Sequence, residues 1–340
     1  MNAIYRPKGQ YLWDFWLYRE QDDYHLFYLQ ADASLTPRQR HRRSSIGHAV
    51  SRDLCNWTEK DCALQAADEP AQWDSVSLWT GCTIKKDGRY YMFYTARCQE
   101  DVADDGYIGH TQRIGLALSD DLLSWEKYVA NPVLTADYRY YESVTEAHNK
   151  HEGWRDPFVV KDETSEWYYA FFTARDRQRS DPKARGCIGR ARSKDLFHWE
   201  TLPPAASPGL FTDMEVPSLH WHQGKWYMLF AVKEEWYSEA YRQAIAPELP
   251  QTGVLYLTAE SLDGEFTLAE PHPVLSGTER RQYTGRIIAA PNGEFVFLSW
   301  NAGVDEGAPD SSAAYSLGAA MVVSHQDGRL RLTKKYGAEK

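Results

Sequence analysis

Hydrophobic and polar positions alternate along this chain in short bursts, and the bursts recur. An aromatic, strand-like run appears as YHLFYLQA from residue 24, YYMFYTA from 90, WYYAFFTA from 167, WYMLFAV from 226 and FVFLSW from 295. A compact polar turn precedes each: REQDD, KKDGR, KDETSE, HQGK and PNGE. Asp-Gly and Asn-Gly beside such runs are hairpin signals. A second unit follows each run: IGHAVSRDLCNWTE from 46, IGLALSDDLLSWEK from 114 and IGRARSKDLFHWET from 188, then the looser LYLTAESLDGEFTL from 255 and LGAAMVVSHQDGRLRL from 317. Another strand-like run lies ahead of each turn, so each repeat holds four short strands, with a period of roughly 60 to 77 residues. Five such repeats predict an all-β protein, a five-bladed β-propeller with four-stranded antiparallel blades around a central channel. An α/β barrel needs helical periods between its strands, and almost none are present. Residues 1–340 are expected to form one propeller domain with no C-terminal β-sandwich.

The repeat also aligns chemistry. Ten or eleven residues upstream of the aromatic runs stand Asp14, Thr80, Asp156, Glu215 and Thr284. The first strand of a propeller blade is innermost, so these five positions are expected to converge at one end of the channel. The loops after the second strands fall on that same end: 32–45, 97–113, 175–187, 233–253 and 301–316. Long loops around a rigid opening are where binding usually resides. The Ser-x-Asp-Leu-x-x-Trp segments read as turns between the outer strands, with Trp57, Trp125 and Trp199 filling between blades.

Composition narrows the classes. With 13 Trp, 22 Tyr and a quarter of its residues charged, the chain is that of a folded protein. A net charge of −10 argues against nucleic acid or anionic membrane as partner. Five cysteines without a CxxC pair fit a reduced, cytoplasmic setting. MNAIYRPKGQYLWDFW lacks the pattern of a signal peptide, and no apolar run reaches the length of a membrane span.

Two carboxyl groups facing a sugar are the minimal machinery for glycoside hydrolysis. Asp14 is flanked by Trp13, Phe15 and Trp16, the aromatic walls on which sugar faces stack. Arg155 beside Asp156 is expected to lower that carboxyl's pKa and keep it ionised. Glu215, in the mainly apolar MEVPSL, is expected to be raised by desolvation and to suit a general acid.

At these residues the chain resembles glycoside hydrolase families 32, 68 and 43, and most closely the β-fructosidase-like families 32 and 68. Arg155-Asp156-Pro157 is similar to their RDP motif. Trp79-Thr80-Gly81-Cys82 resembles the Phe-Ser-Gly-Ser-type motif of the fructosyl subsite. LWDFWLY resembles the nucleophile context of family 68 more than the Asn-Asp-Pro-Asn block of family 32, and Val216 stands where family 32 usually places a Cys. The resemblance implies Asp14 as nucleophile, Asp156 as transition-state stabiliser and Glu215 as acid/base. It implies a retaining enzyme on terminal β-fructofuranosides. The alternatives are an inverting family 43-type arabinofuranosidase or xylosidase, a fructosyltransferase, and a non-catalytic sugar-binding propeller.

The partner expected is a small carbohydrate, contacted by Trp13, Trp79, Thr80, Arg155, Trp236, Thr284 and Arg286. Trp236 and Tyr237 lie on a rim loop, where they either stack a leaving-group sugar or cap a blade. The basic run RQRHRR, 38–43, reads as a solvated loop, with an anion-holding role as the alternative. His148 and His151 lack an evident third ligand and read as loop, and EDVADD reads as a solvated rim. Neither a metal nor a cofactor is expected.

Overall fold

A computed structural model describes residues 3–103, 106–147, 151–276, 282–302 and 314–337. They form five antiparallel sheets, and the first strand of each contacts its neighbours around a ring. Blade I is built from Gln10–Glu20, Asp23–Asp32, Ser45–Ser51 and Thr58–Glu59. Blade II uses Ser77–Lys86, Arg89–Arg97, Arg113–Ser119 and Glu126–Lys127. Blade III uses Trp154–Lys161, Tyr168–Arg175, Gly186–Ser193 and Glu200–Ala206. Blade IV begins Glu215–His222, Lys225–Val232, Gly253–Ala259. Blade V takes Gln282–Ala289, Phe295–Asn301, Met321–Gln326 and Arg329–Lys335. The five-bladed propeller expected from the repeats is the fold observed. The strand Ala3–Tyr5, which precedes blade I, pairs with Ser316–Gly318 in the fifth sheet and so joins the last blade to the first.

The outer turns explain the Ser-x-Asp-Leu signature. Ser51 Oγ accepts the Leu54 amide at 2.9 Å, while Asp53 Oδ1 accepts those of Cys55 and Asn56 at 2.8 and 2.7 Å. The same bonds recur at Ser119 and Asp121 and at Ser193 and Asp195. The short side chains thus replace the backbone partners a strand would have supplied. The tryptophans that follow pack on the preceding blade, as expected: Trp125 edge-on to Phe27, Trp199 edge-on to Phe93. Trp57 of blade I meets Tyr5, completing the pattern across the closure.

Every inner strand carries a register shift near its start: between Trp13 and Phe15, Trp79 and Gly81, Arg155 and Phe158, Glu215 and Ser218, Tyr283 and Arg286. A β-bulge bends the strand and re-aims the side chains beside it. Asp156, Val216 and Thr284 sit there at φ +60°, +54° and +59°. In blade II the strand passes so close to its neighbour that a Cβ on Gly81 would lie 2.0 Å from Phe93 O, so only glycine fits. The register also corrects the sequence alignment. Arg155-Asp156-Pro157 superposes on Glu215-Val216-Pro217, so Glu215 shares its position with Arg155 and Tyr283, one residue before the bulge.

Candidate active site

The bulges open into a cavity of about 1200 Å³ at the channel end. Asp14, Asp156 and Glu215 all line it, together with Trp13, Trp79, Thr80, Arg155 and Trp236. Thr284 and Arg286 do not. Thr284 acts one step back, and Arg286 is a correction. Its guanidinium is buried beneath the floor, donating to Phe15 O at 3.0 Å, Val216 O at 3.2 Å and Pro217 O at 3.1 Å. Those bonds tie the inner strands of blades I, IV and V together and leave the group turned away from the cavity.

Asp14 receives Thr284 Oγ1 at 2.5 Å and Trp300 Nε1 at 2.9 Å, both on Oδ1. Burial lifts its pKa above the ordinary range; the Thr284 bond pulls it down and the Glu215 charge pushes it further up. Asp156 accepts Thr173 Oγ1 at 2.8 Å and the Val216 amide at 3.3 Å on Oδ2, while its own amide donates to Thr95 Oγ1 at 2.8 Å. Its carboxyl is pushed up to about 7 by burial. Arg155 Nε, 3.5 Å away, opposes that rise without overcoming it, and the charges of Glu215 and Asp14 add to it. The expectation that Arg155 keeps Asp156 low is thus reversed: desolvation of a fully enclosed carboxyl outweighs one ion pair whose guanidinium is shared among three acids.

Glu215 does not sit among apolar groups as its sequence neighbours suggested. Arg155 Nη2 donates to Oε1 at 2.8 Å, and Tyr283 OH to Oε2 at 2.6 Å. Arg155 is anchored in turn by Asp213 at 3.3 Å, and Asp213 is gripped by Arg175 through bonds of 3.1 and 3.0 Å. Burial pushes the Asp213 carboxyl up, but the guanidinia of Arg175 and Arg155 outweigh it and hold it below the usual range. Glu142 and Arg185 extend this alternation of buried charges. Such a network holds its members in one arrangement, because withdrawing any one leaves a buried charge unpaired.

The walls come from the rim. Arg40, from the basic run read as a solvated loop, is buried on the short helix Gln39–Arg42, with its guanidinium 5.3 Å over Trp13 and 4.9 Å over Tyr315. His41 beside it also lines the cavity, and burial together with nearby cations holds its imidazole neutral. Trp79 donates to His41 O at 3.1 Å and stacks under Arg97. His151 lines the cavity as well and is no mere loop residue; burial drives its pKa down to about 3. His148 lies outside the described residues, as do Asp104 and Asp105 of the acidic rim. Trp236 stands at the mouth, whereas Tyr237 turns inward against Phe211 and Tyr241. Thr80 Oγ1 is buried and has no hydrogen-bond partner among the described residues. Tyr283, Trp300 and Asp213 were missed in the sequence. Only Tyr283 had a signal, its place before Thr284 matching Arg155 before Asp156.

Fold and floor together define a five-bladed propeller whose channel is closed by three carboxylates. The chain belongs to the glycosyl hydrolases family 32: that family's N-terminal domain matches residues 15–184. The match includes Thr80, Arg155 and Asp156; Asp14 lies one residue before it and Glu215 beyond it. Among curated relatives, an acid beta-fructofuranosidase of Vicia faba is 42% identical over 93 residues, 26% of this chain and 13% of that protein. A sucrose-6-phosphate hydrolase of Bacillus subtilis (strain 168) is 30% identical over 164 residues, 48% of this chain and 28% of that protein. The chain therefore spans well under a third of the length of either. An inulosucrase from Halalkalicoccus jeotgali, solved with kestose bound, superposes with a TM-score of 0.77 at 22% identity, covering 99% of this chain and 91% of its own. That likeness is one of fold.

Proposed function

We propose that the chain is a retaining glycosidase that removes terminal β-fructofuranosyl units from sucrose or short fructo-oligosaccharides. The observation carrying this reading is the convergence of Asp14, Asp156 and Glu215 on one enclosed floor, with Arg155 shared between two of them. Membership of family 32 favours it over the inverting family 43-type alternative. In the first step Asp14 attacks the anomeric carbon. Its Oδ1 is held by Thr284 and Trp300, so Oδ2 is the oxygen that attacks. Glu215 passes a proton to the departing glycosidic oxygen, and a fructosyl ester of Asp14 remains. In the second step Glu215 takes a proton from water, whose oxygen displaces Asp14 and frees the sugar. Asp156 holds ring hydroxyls and offsets the positive charge that develops in both transition states. Trp13 and Trp79 supply the apolar walls.

A cytoplasmic setting is part of the same proposal, supported by five cysteines that are all unpaired thiols. Among the described residues no helix is long and apolar enough to cross a membrane. The test is product release from sucrose, kestose, short inulin, and aryl arabinofuranosides and xylosides, comparing the parent chain with Glu215→Ala. Free fructose from the parent alone, first appearing as the β-anomer, is the expected result. Pentose release, or binding of fructosides without turnover, would overturn the proposal. Kestose accumulating from sucrose in place of free fructose would make the enzyme a transferase using the same carboxylates.

A further inference from the structure

The inner strand of blade IV runs from Glu215, in the cavity, to His222. Seven residue steps at the rise of a strand carry it roughly 23 Å, to the opposite face of the ring. Its last residues read His220-Trp221-His222, and strand alternation puts the two imidazoles on one side with Trp221 on the other. His325, from Met321–Gln326 of blade V, reaches across to meet them. His220 Nε2 and His325 Nε2 are 3.1 Å apart, and the His222 and His325 rings lie face to face with centroids 3.6 Å apart. One ring nitrogen from each of the three falls within 4.8 Å of the others. Phe295 and Tyr227 close the cluster edge-on.

We propose that His220, His222 and His325 form a binding site for a late first-row divalent metal ion that clamps blade IV to blade V. The proposal stands apart from the glycosidase reading. A tetrahedral ion with bonds of about 2.0 Å separates its nitrogen ligands by roughly 3.3 Å, close to the spacing of the His220 and His325 pair. His222 is the member that moves. Its ring stacks parallel to His325 in a partly exposed position, and a turn about its terminal side-chain torsion is the movement that would bring its nitrogen toward the same point. Three imidazoles without a carboxylate suit Zn²⁺, Ni²⁺ or Cu²⁺ and not Mg²⁺ or Ca²⁺. The competing arrangement is an N–H···N bond inside an aromatic stack, which gains nothing from metal.

The test uses the full chain, stripped with EDTA, dialysed and titrated calorimetrically with Zn²⁺. One equivalent is expected to bind, with a rise in Tm, while Mg²⁺ gives neither effect. His325→Ala and His222→Ala should each weaken Zn²⁺ binding at least tenfold and abolish the Tm rise. His198→Ala, which removes an exposed imidazole on another blade, should leave both intact. Should His325→Ala fold poorly by near-ultraviolet circular dichroism, His222→Ala, altering only the partly exposed ring, carries the result. Hydrolytic turnover should be the same with and without EDTA. Absence of saturable Zn²⁺ binding, or loss of binding in His198→Ala with retention in the other two, would overturn the proposal.

Discussion

Replacing Asp156 by Asn should make the protein more stable while disabling it, and the gain should depend on pH in a defined way. The folded carboxyl is pushed up to about 7, against 3.8 for the free group, chiefly by burial. The native state therefore holds this proton more tightly than the unfolded chain does. Stability from that proton is complete below about pH 4 and is lost as the pH rises through about 7, a slope near 1.4 kcal/mol per unit. Across the whole window the loss is about 4 kcal/mol; between pH 5 and pH 8 it is about 3 kcal/mol. Asn cannot ionise, yet its carbonyl oxygen still accepts the Thr173 hydroxyl and the Val216 amide that Oδ2 now receives. Urea unfolding at both pH values measures the difference, from the midpoint shift and the slope of each transition. The variant's advantage should grow by about 3 kcal/mol from pH 5 to pH 8, and its turnover of sucrose should fall by orders of magnitude. An advantage that stays flat with pH, or that shrinks toward pH 8, would refute the assignment of a raised carboxyl to this position.

Other consequences follow from single contacts. Tyr283→Phe deletes the 2.6 Å bond that positions Glu215; a lost hydrogen bond of this kind is worth about 1–3 kcal/mol, so kcat/KM should drop roughly 5- to 150-fold, read from initial rates on sucrose. Thr284→Val removes a bond that pulls the Asp14 pKa down, so the acid limb of the kcat/KM profile should move to higher pH, an effect read from rates between pH 4 and 8. Arg286→Met strands three buried carbonyls and should cost about 3 kcal/mol or more in urea unfolding, while KM for sucrose in the folded fraction stays within about twofold because the side chain faces away from the cavity.

The fold was legible because each blade repeats an aromatic strand beside a tight polar turn, and the first three add a Ser-x-Asp-Leu turn ending in an inter-blade Trp. Asp14 and Asp156 were legible through that repeat. Glu215 was found but placed one residue out of step, since counting back from the aromatic run ignores the bulge. The proline shared by Arg155-Asp156-Pro157 and Glu215-Val216-Pro217 was the better anchor. What stayed hidden came from two sources. Arg40 and His41 reach the cavity on a short helix and His151 on a loop, all without periodicity, where a basic or His-bearing stretch looks like any solvated rim. Arg286 misled in the opposite direction, because an arginine near a motif reads as a ligand until its backbone partners are seen.

The remaining hidden groups reveal how the floor is kept in register. Opposite the residue before each bulge, the second strand offers Leu29, Thr95, Thr173, Ala231 and Trp300 in turn. Three of these reach forward to the next blade. Thr95 of blade II accepts the amide of Asp156 in blade III, Thr173 of blade III accepts that of Val216 in blade IV, and Trp300 of blade V donates to Asp14 in blade I. Backbone at positive φ in Asp156 and Val216 is unfavourable for such residues by about 1–3 kcal/mol each, and persists only where the surroundings over-determine it. Here the neighbouring blade supplies that constraint. Asp14 depends most on it: both groups that hold its Oδ1 come from blade V, the blade completed by the N-terminal strand. Closing the ring and orienting the Asp14 carboxylate are therefore one structural event, because the groups that hold it lie on the last blade and not on its own.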